Sequence, residues 1–271
     1  MYEMNTKKHK MMKKHLMMMS LMALVVMTIA SCMRIKVGNK EWSIGNSEML
    51  TDNTPSQVRE VGQETAIQQF DELDVVGPFN VILEQGDNST VRVEGTAEQL
   101  AKMTIYVKDG ELCIRRKQKL NNNELEGLRV FVCTPTVKNI ELTGSGRVTA
   151  PNALNTADLT IDLSGSGDIT LAQLTCQELS MEVSGSGEMT TGPIKANEVE
   201  TDVTGSGTIN IAGLTCNTLD NDVTGSGNVT INNINVNVAN SDVTGSGTIL
   251  MRGKVGTHNE DITGSGKVLL E

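Results

Sequence analysis

The sequence predicts an all-β fold: a β-solenoid (a β-helix-like stack) of about seven 20-residue coils with an irregular N-terminal β-cap. Three observations carry this. The tripeptide Gly-Ser-Gly begins at residues 144, 165, 185, 205, 225, 245 and 264, in steps of 19 to 21 residues. Around each copy apolar and polar residues alternate, the period of a strand with one buried face. Finally, 26 glycines stand against six aromatic side chains in 271 residues that are 38% hydrophobic. Small aliphatic side chains must therefore fill the interior in thin, regular layers.

In chain order, residues 1–31 read as an export signal. Lys7, Lys8, Lys10, Lys13 and Lys14 form a basic start, and an apolar run from Leu16 to Ala30 follows. The run ends in Ile29-Ala30-Ser31-Cys32, similar to the lipobox of bacterial lipoproteins. That similarity implies cleavage before Cys32 and lipid attachment to its sulfur; a plain secretory signal is the alternative, and both export the chain. Residues 32–65 are polar and patternless apart from Trp42, and are expected to be a flexible tether. Residues 66–140 hold alternating segments at Val81–Leu83, Val91–Val93, Thr104–Val107, Leu112–Ile114 and Leu128–Val132, separated by turn residues. They are expected to form the cap, whose last strand feeds the first coil. Its basic cluster, Arg115, Arg116, Lys117 and Lys119, reads as a solvated hairpin rather than a docking site.

Residues 141–271 are the solenoid. Two positions before each first glycine stand Leu142, Leu163, Val183, Val203, Val223, Val243 and Ile262; four positions after it stand Val148, Ile169, Met189, Ile209, Val229, Ile249 and Val268. A 20-residue unit cannot bury such a face alone, but stacked copies bury a continuous column. Gly144, Gly165, Gly185, Gly205, Gly225, Gly245 and Gly264 are expected to shape the corners, with both glycines of each turn supplying backbone angles closed to other residues. The intervening serines are expected to hydrogen-bond from coil to coil.

The repeat, together with Phe70-Asp71-Glu72-Leu73-Asp74-Val75 and Gly77-Pro78-Phe79-Asn80-Val81, resembles the auto-transporter adhesin head GIN domain family of Bacteroidetes-type bacteria, over roughly residues 66–271. The resemblance implies one continuous exported all-β domain with a binding or adhesion role.

Charge narrows the function classes. Without residues 1–31 the chain has 18 basic and 32 acidic side chains, net −14, and residues 148–251 contain twelve acids and one base, Lys195. Such a surface repels phosphate backbones, so no nucleic-acid partner is expected. The one histidine beyond residue 31 is His258, and the conspicuous serines are seven equivalent turn residues, which do not make a unique activated nucleophile. Cys176 and Cys216 share an inward column two coils apart, about 9.6 Å by strand spacing, too far to bridge. Cys113 and Cys133 lie on neighbouring expected strands and could be bridged or free. Neither pair has zinc-site spacing, and no cofactor is expected.

One column is chemically distinctive. Three residues before each first glycine stand Glu141, Asp162, Glu182, Asp202, Asp222, Asp242 and Asp261. They alternate with a buried column, so they point outward as a ladder of like charge near 4.8 Å spacing. The reading taken is a solvated ladder without metal. Weak Ca²⁺ binding and a glycosidase-like pair of acids on neighbouring coils are the alternatives. The functional expectation is a lipid-anchored outer-membrane protein, facing periplasm or exterior, that binds an extracellular or envelope protein or glycan without catalysis. The alternatives are a carbohydrate-active β-helix enzyme and a purely structural envelope protein. The run Val268-Leu269-Leu270 adds an expectation of self-association through the C-terminal coil.

Overall fold

The computed structural model describes residues 33–37, 40–44, 62–117 and 122–271. The signal segment, Cys32 and Lys119 lie outside them. Within the stretch expected as a tether, β1 (Met33–Val37) and β2 (Lys40–Ile44, which includes Trp42) form an antiparallel hairpin, a unit of its own.

The second unit is a β-solenoid built from two parallel stacks of strands. Along one stack the order is β8 (Glu111–Arg116), β4 (Glu72–Val76), β10 (Asn139–Gly144), β12 (Asp158–Gly165), β14 (Glu178–Gly185) and β16 (Glu198–Gly205). It continues through the second halves of β17 (Thr208–Gly225), β18 (Asn228–Gly245) and β19 (Thr248–Gly264). The other stack runs β9 (Arg129–Thr134), β5 (Asn80–Gln85), β11 (Arg147–Asn155), β13 (Asp168–Thr175) and β15 (Glu188–Lys195). The first halves of β17, β18 and β19 follow, and β20 (Lys267–Leu270) ends it. Buried residues in one coil fall at Ile169, Leu171, Leu174, Cys176, Leu179, Met181 and Val183. Strict alternation would hold the step at two. Each step of three is a bend, so with the Gly-Ser-Gly corner a coil has three.

The cap is more regular than its sequence suggests. β4 and β5 are a full layer of the stack, in register with the first repeat through Asp74 opposite Glu141 and Val81 opposite Val148. The chain running from β9 to β10 therefore does not add the next layer, as expected; it steps across β4 and β5, which are already there. Two strands with antiparallel partners, β6 (Thr90–Glu94, on β9) and β7 (Met103–Lys108, on β8), complete the cap, and β3 (Thr65–Ala66) pairs with β6. A five-residue helix, α1 (Ala97–Ala101), begins at a capping box in which Thr96 and Gln99 bond each other's backbone N–H. Cys113 and Cys133 are both free thiols: Cys113 lies opposite Asp74 and Tyr106, Cys133 opposite Glu84 and Thr90, so the two are not neighbours across a ladder.

The interior is aliphatic along most columns, but one column changes character. Ile140, Ile161 and Met181 are followed by Thr201, Asn221 and Ser241, all buried. Thr201 Oγ1 donates to Asn221 Oδ1 at 2.8 Å, Asn221 Nδ2 reaches Ser241 Oγ at 3.4 Å, and His258 Nε2 lies 3.3 Å from that hydroxyl. In this column stacking thus gives Thr201, Asn221 and Ser241 their partners in the next coil, which removes most of the desolvation penalty.

At the corners the two glycines have different jobs. The first of each triplet has φ between +111° and +122°, a region that L side chains rarely adopt. The second does not, but it is held where a Cβ would collide with the coil below: at Gly207 it would meet Val183 Cγ1 at 2.4 Å. The coil-to-coil bond at the corner comes from the serine backbone, as from Ser206 N–H to Gly185 O at 2.8 Å, while the side chain of Ser206 is exposed.

Gly205→Val should therefore lower stability by about 3 kcal/mol or more, through φ strain and a Cβ placed 2.7 Å from Gly185 O. Ser206→Ala should change it by no more than about 0.5 kcal/mol. Thermal or denaturant melts check both, and a larger loss for the serine variant would contradict the backbone assignment of the corner.

Candidate functional site

The acids expected to form a ladder do so in register. Glu141 pairs with Asp162, Asp162 with Glu182, Glu182 with Asp202, Asp202 with Asp222, Asp222 with Asp242 and Asp242 with Asp261. All seven face outward, half-buried or exposed, on one face of the first stack. The column is longer than the sequence reading gave it. Asp74 is its eighth member, opposite Glu141, and Cys113 lies opposite Asp74 on β8, the last of the parallel strands. The signal was present: Asp74 stands three residues before Gly77, whose φ of +129° makes it a corner like the others. Its triplet, Gly77-Pro78-Phe79, lacks the serine and second glycine that mark the repeat.

Two further columns share the face. One residue before each first glycine stands a hydroxyl in every copy: Thr143, Ser164, Ser184, Thr204, Thr224, Thr244 and Thr263. Thr204 Oγ1 donates to Asp202 Oδ1 at 3.3 Å, the contact expected of side chains two apart on one face. Two positions to the other side, Asn259 Nδ2 donates to Asn240 Oδ1 at 2.9 Å and Asn240 Nδ2 to Asp220 Oδ1 at 2.5 Å. The face is therefore a strip of carboxylates edged by hydroxyls on one side and, in the later coils, amides on the other.

Close like charges on a partly dehydrated surface raise the pKa of individual rungs. Packing against the sheet, followed by repulsion from Glu182 and Glu141, pushes Asp162 up to about 6. Asp222 is likewise pushed up to about 6, first by desolvation and then by Asp242 and Asp202. Desolvation and the charge of Asp74 raise Glu141 as well.

At the capped end the column turns inward. Asp74 is 4% exposed and its Oδ2 is ion-paired with Arg115, while Oδ1 is buried with no hydrogen-bond donor. Arg115, read from sequence as part of a solvated cluster, is thus tied to the ladder. Among the described residues, Asp74, Glu111 and Cys113 each bring one ligand-type atom within 4.8 Å of the other two. Desolvation and the facing Asp74 carboxyl push Glu111 up to about 6, and burial raises the Cys113 thiol.

Other candidate groups are inert. Cys176 and Cys216 are buried free thiols whose pKa is pushed up by desolvation to about 11 and about 12, which keeps them protonated core fillers. Ser241 and His258 are within contact distance, but Ser241 is fully buried and its hydroxyl reaches no external substrate. At the last coil Ile262, Leu269 and Leu270 are 39%, 41% and 48% exposed, the large exposed hydrophobic side chains among the described residues.

Comparison with known proteins places this architecture. Residues 69–234, more than half of the chain, match the family described as "Putative auto-transporter adhesin, head GIN domain", and the chain belongs to that family. Among solved structures, a putative adhesin from Bacteroides fragilis is similar with a TM-score of 0.72 and 22% identity over 77% of this chain and 95% of that one. A putative adhesin from Parabacteroides merdae gives 0.62 and 16% over 80% and 97%. A putative lipid binding protein from Parabacteroides distasonis gives 0.63 and 19% over 77% and 95%. Among curated proteins none matches the chain. These likenesses establish the fold.

The raised rungs give a signed pH dependence. Asp162 and Asp222 hold protons more tightly in the folded chain than in the unfolded one, so their contribution is stabilising below about pH 4 and is lost as pH rises through about 6. Asp162→Asn with Asp222→Asn should raise stability at pH 7 by a few tenths to about 1 kcal/mol, after allowance for solvent screening, and flatten the rise of melting temperature between pH 7 and pH 5. Salt should stabilise the wild type more than the variant. A rise specific to Ca²⁺ over Mg²⁺, abolished in the variant, would instead make the ladder a calcium site.

Proposed function

We propose that this chain is a cell-envelope lipoprotein, anchored through Cys32 at the outer membrane and facing periplasm or exterior, whose solenoid is a binding or adhesion module without catalytic activity. Its ligand is an extracellular or envelope protein or glycan. The observation that carries the reading is the outward strip of the first stack, where carboxylates and hydroxyls recur in strict register over seven coils. Rungs about 4.8 Å apart present the same acceptors and donors again and again, which suits a long ligand with its own repeat better than a compact one. Membership of the adhesin head family supports the same reading.

The other reading with an observation in its favour is a carbohydrate-active enzyme. A rung raised to about 6, such as Asp162, with a second carboxyl on the next coil resembles the pair of acids that a retaining glycosidase places about 5 Å apart. The strip itself, however, is made of acids, hydroxyls and amides and offers no aromatic platform for a sugar ring. The exposed Ile262, Leu269 and Leu270 support a second copy of the chain as an additional partner at the last coil.

A glycan array run beside a reducing-sugar release assay separates these readings. Binding without release is expected, weakened several-fold by neutralising Asp202 and Asp222 together; release of reducing ends would overturn the non-catalytic reading. For the anchor, Cys32→Ser should move the protein from the membrane to the soluble fraction and abolish incorporation of labelled palmitate. A Cys32→Ser chain that still pellets with membranes would remove the lipoprotein assignment.

A further inference from the structure

We propose that Asp74, Glu111 and Cys113, where the carboxylate column meets the cap, form a binding site for one divalent transition-metal ion of the zinc class. Two neighbouring strands supply the ligands: β4 gives Asp74, and β8 gives Glu111 and Cys113. Because Glu111 and Cys113 are two apart on one strand they share a face, and Asp74 lies directly opposite Cys113 in the ladder. The three donor atoms lie within 4.8 Å of one another, so side-chain rotation that closes them by about 1 Å brings them to the separations a four-coordinate ion requires.

Two observations beyond the clustering point to a cation. Asp74 is buried and only one of its oxygens is neutralised, by Arg115; Oδ1 has no donor. A buried carboxylate oxygen without a partner is costly, and a cation satisfies it where the facing carboxyl and thiol can do so only by keeping a proton. The charge also balances. Ionised Asp74 and Glu111 with a Cys113 thiolate, less the Arg115 guanidinium, leave two negative charges, which one divalent ion cancels.

The donor set selects the ion. A thiolate is a soft ligand that favours zinc-class metals over Ca²⁺ or Mg²⁺, and two carboxylates with one sulfur leave a fourth position for water or for Glu141, the next rung of the column. Binding must displace the thiol proton, and burial raises that thiol, so affinity rises with pH. The rival occupant of the space between Asp74 and Glu111 is a proton, which Glu111 holds up to about pH 6. Asp74, Glu111 and Cys113 lie on the cap side of Glu141, so ligand binding by the later rungs, Asp202 and Asp222 among them, can succeed or fail without the metal.

Cobalt provides the probe, since a thiolate bound to Co²⁺ gives an intense charge-transfer absorption. Titrated into the full chain at neutral pH, Co²⁺ should produce this band with one ion per chain, Zn²⁺ should displace it, and about one proton should be released per ion. Cys113→Ser should abolish the band, and Cys133→Ser should leave it. Asp74→Asn could disturb the buried ion pair, so Glu111→Gln carries the decisive comparison. It should weaken Zn²⁺ binding about tenfold or more, with the metal-free melting temperature unchanged or raised, because a carboxylate facing Asp74 has gone. Absence of the band, its persistence in Cys113→Ser, or equal Zn²⁺ affinity in Glu111→Gln would overturn the proposal and leave the carboxyl pair with a proton only.

Discussion

The structure depends on how closely one backbone can approach the next at the Gly-Ser-Gly corner. There the carbonyl of one first glycine accepts from the serine N–H of the following coil, 2.9 Å at Gly144 and 2.8 Å at Gly165 and Gly185. No Cβ fits between them: at Gly165 and Gly225 it would stand 2.5 Å from the carbonyl oxygen below. This contact fixes the register of each coil on the last, and a slip of one residue would turn every buried side chain outward. Variation in coil length is therefore absorbed elsewhere. The 21-residue step places its extra residue as a register shift between Ala150 and Ala153, and the 19-residue step shows its shift opposite Ile231 to Ile234. Both lie at the second bend, away from the glycine corner.

Strict register has an electrostatic consequence. Once corners stack on corners, whatever stands three residues before the glycine must stack too, so a repeat carrying Asp or Glu there builds a line of like charge at strand spacing. The chain accommodates this without breaking register. Asp162 and Asp222 are shifted towards neutrality, and in each case the charged neighbours above and below contribute to the shift. Hydroxyls of the adjoining column, as Thr204 does for Asp202, supply a donor. The same rule works in favour of stability inside, where Thr201, Asn221 and Ser241 partner one another because stacking leaves them adjacent.

How much of this could be read in the sequence follows from the same physics. Where the repeat is nearly exact, position in the copy determines the environment, so the apolar columns, the corners and the seven outward acids were legible from spacing alone. Where the triplet decays to Gly77-Pro78-Phe79, the layer persists but its marker does not. Asp74 and the β4–β5 layer were therefore missed, although the pattern of an acid three residues before a glycine was intact. The crossing from β9 over that layer was not legible, because alternation identifies strands and says nothing about which strand an edge chooses. α1 had its signal in Thr96 and Gln99, hidden by the strands on either side. The free state of Cys113 and Cys133 follows from strand order, which spacing does not supply. The division of labour between the two glycines of a corner needed coordinates, since a φ requirement and a steric one select the same residue.

The two ends of the carboxylate column show why one chemistry takes different forms along a single ladder. From Glu141 onward the rungs remain in contact with water, where a like-charged neighbour is screened and partial protonation relieves the rest. At Asp74 the cap closes over the column, water is excluded, and the same carboxylate must be neutralised by a fixed charge: Arg115 takes one oxygen. The repeat supplies an acid at that position whether or not the environment suits it, because the position belongs to the corner. What differs is the cover, since β7 and β8 bring Tyr106, Glu111, Cys113 and Arg115 over a rung that would otherwise resemble the rest. A periodic scaffold thus yields a unique environment where its period meets a non-repeating cap, while its coils present the same groups again and again.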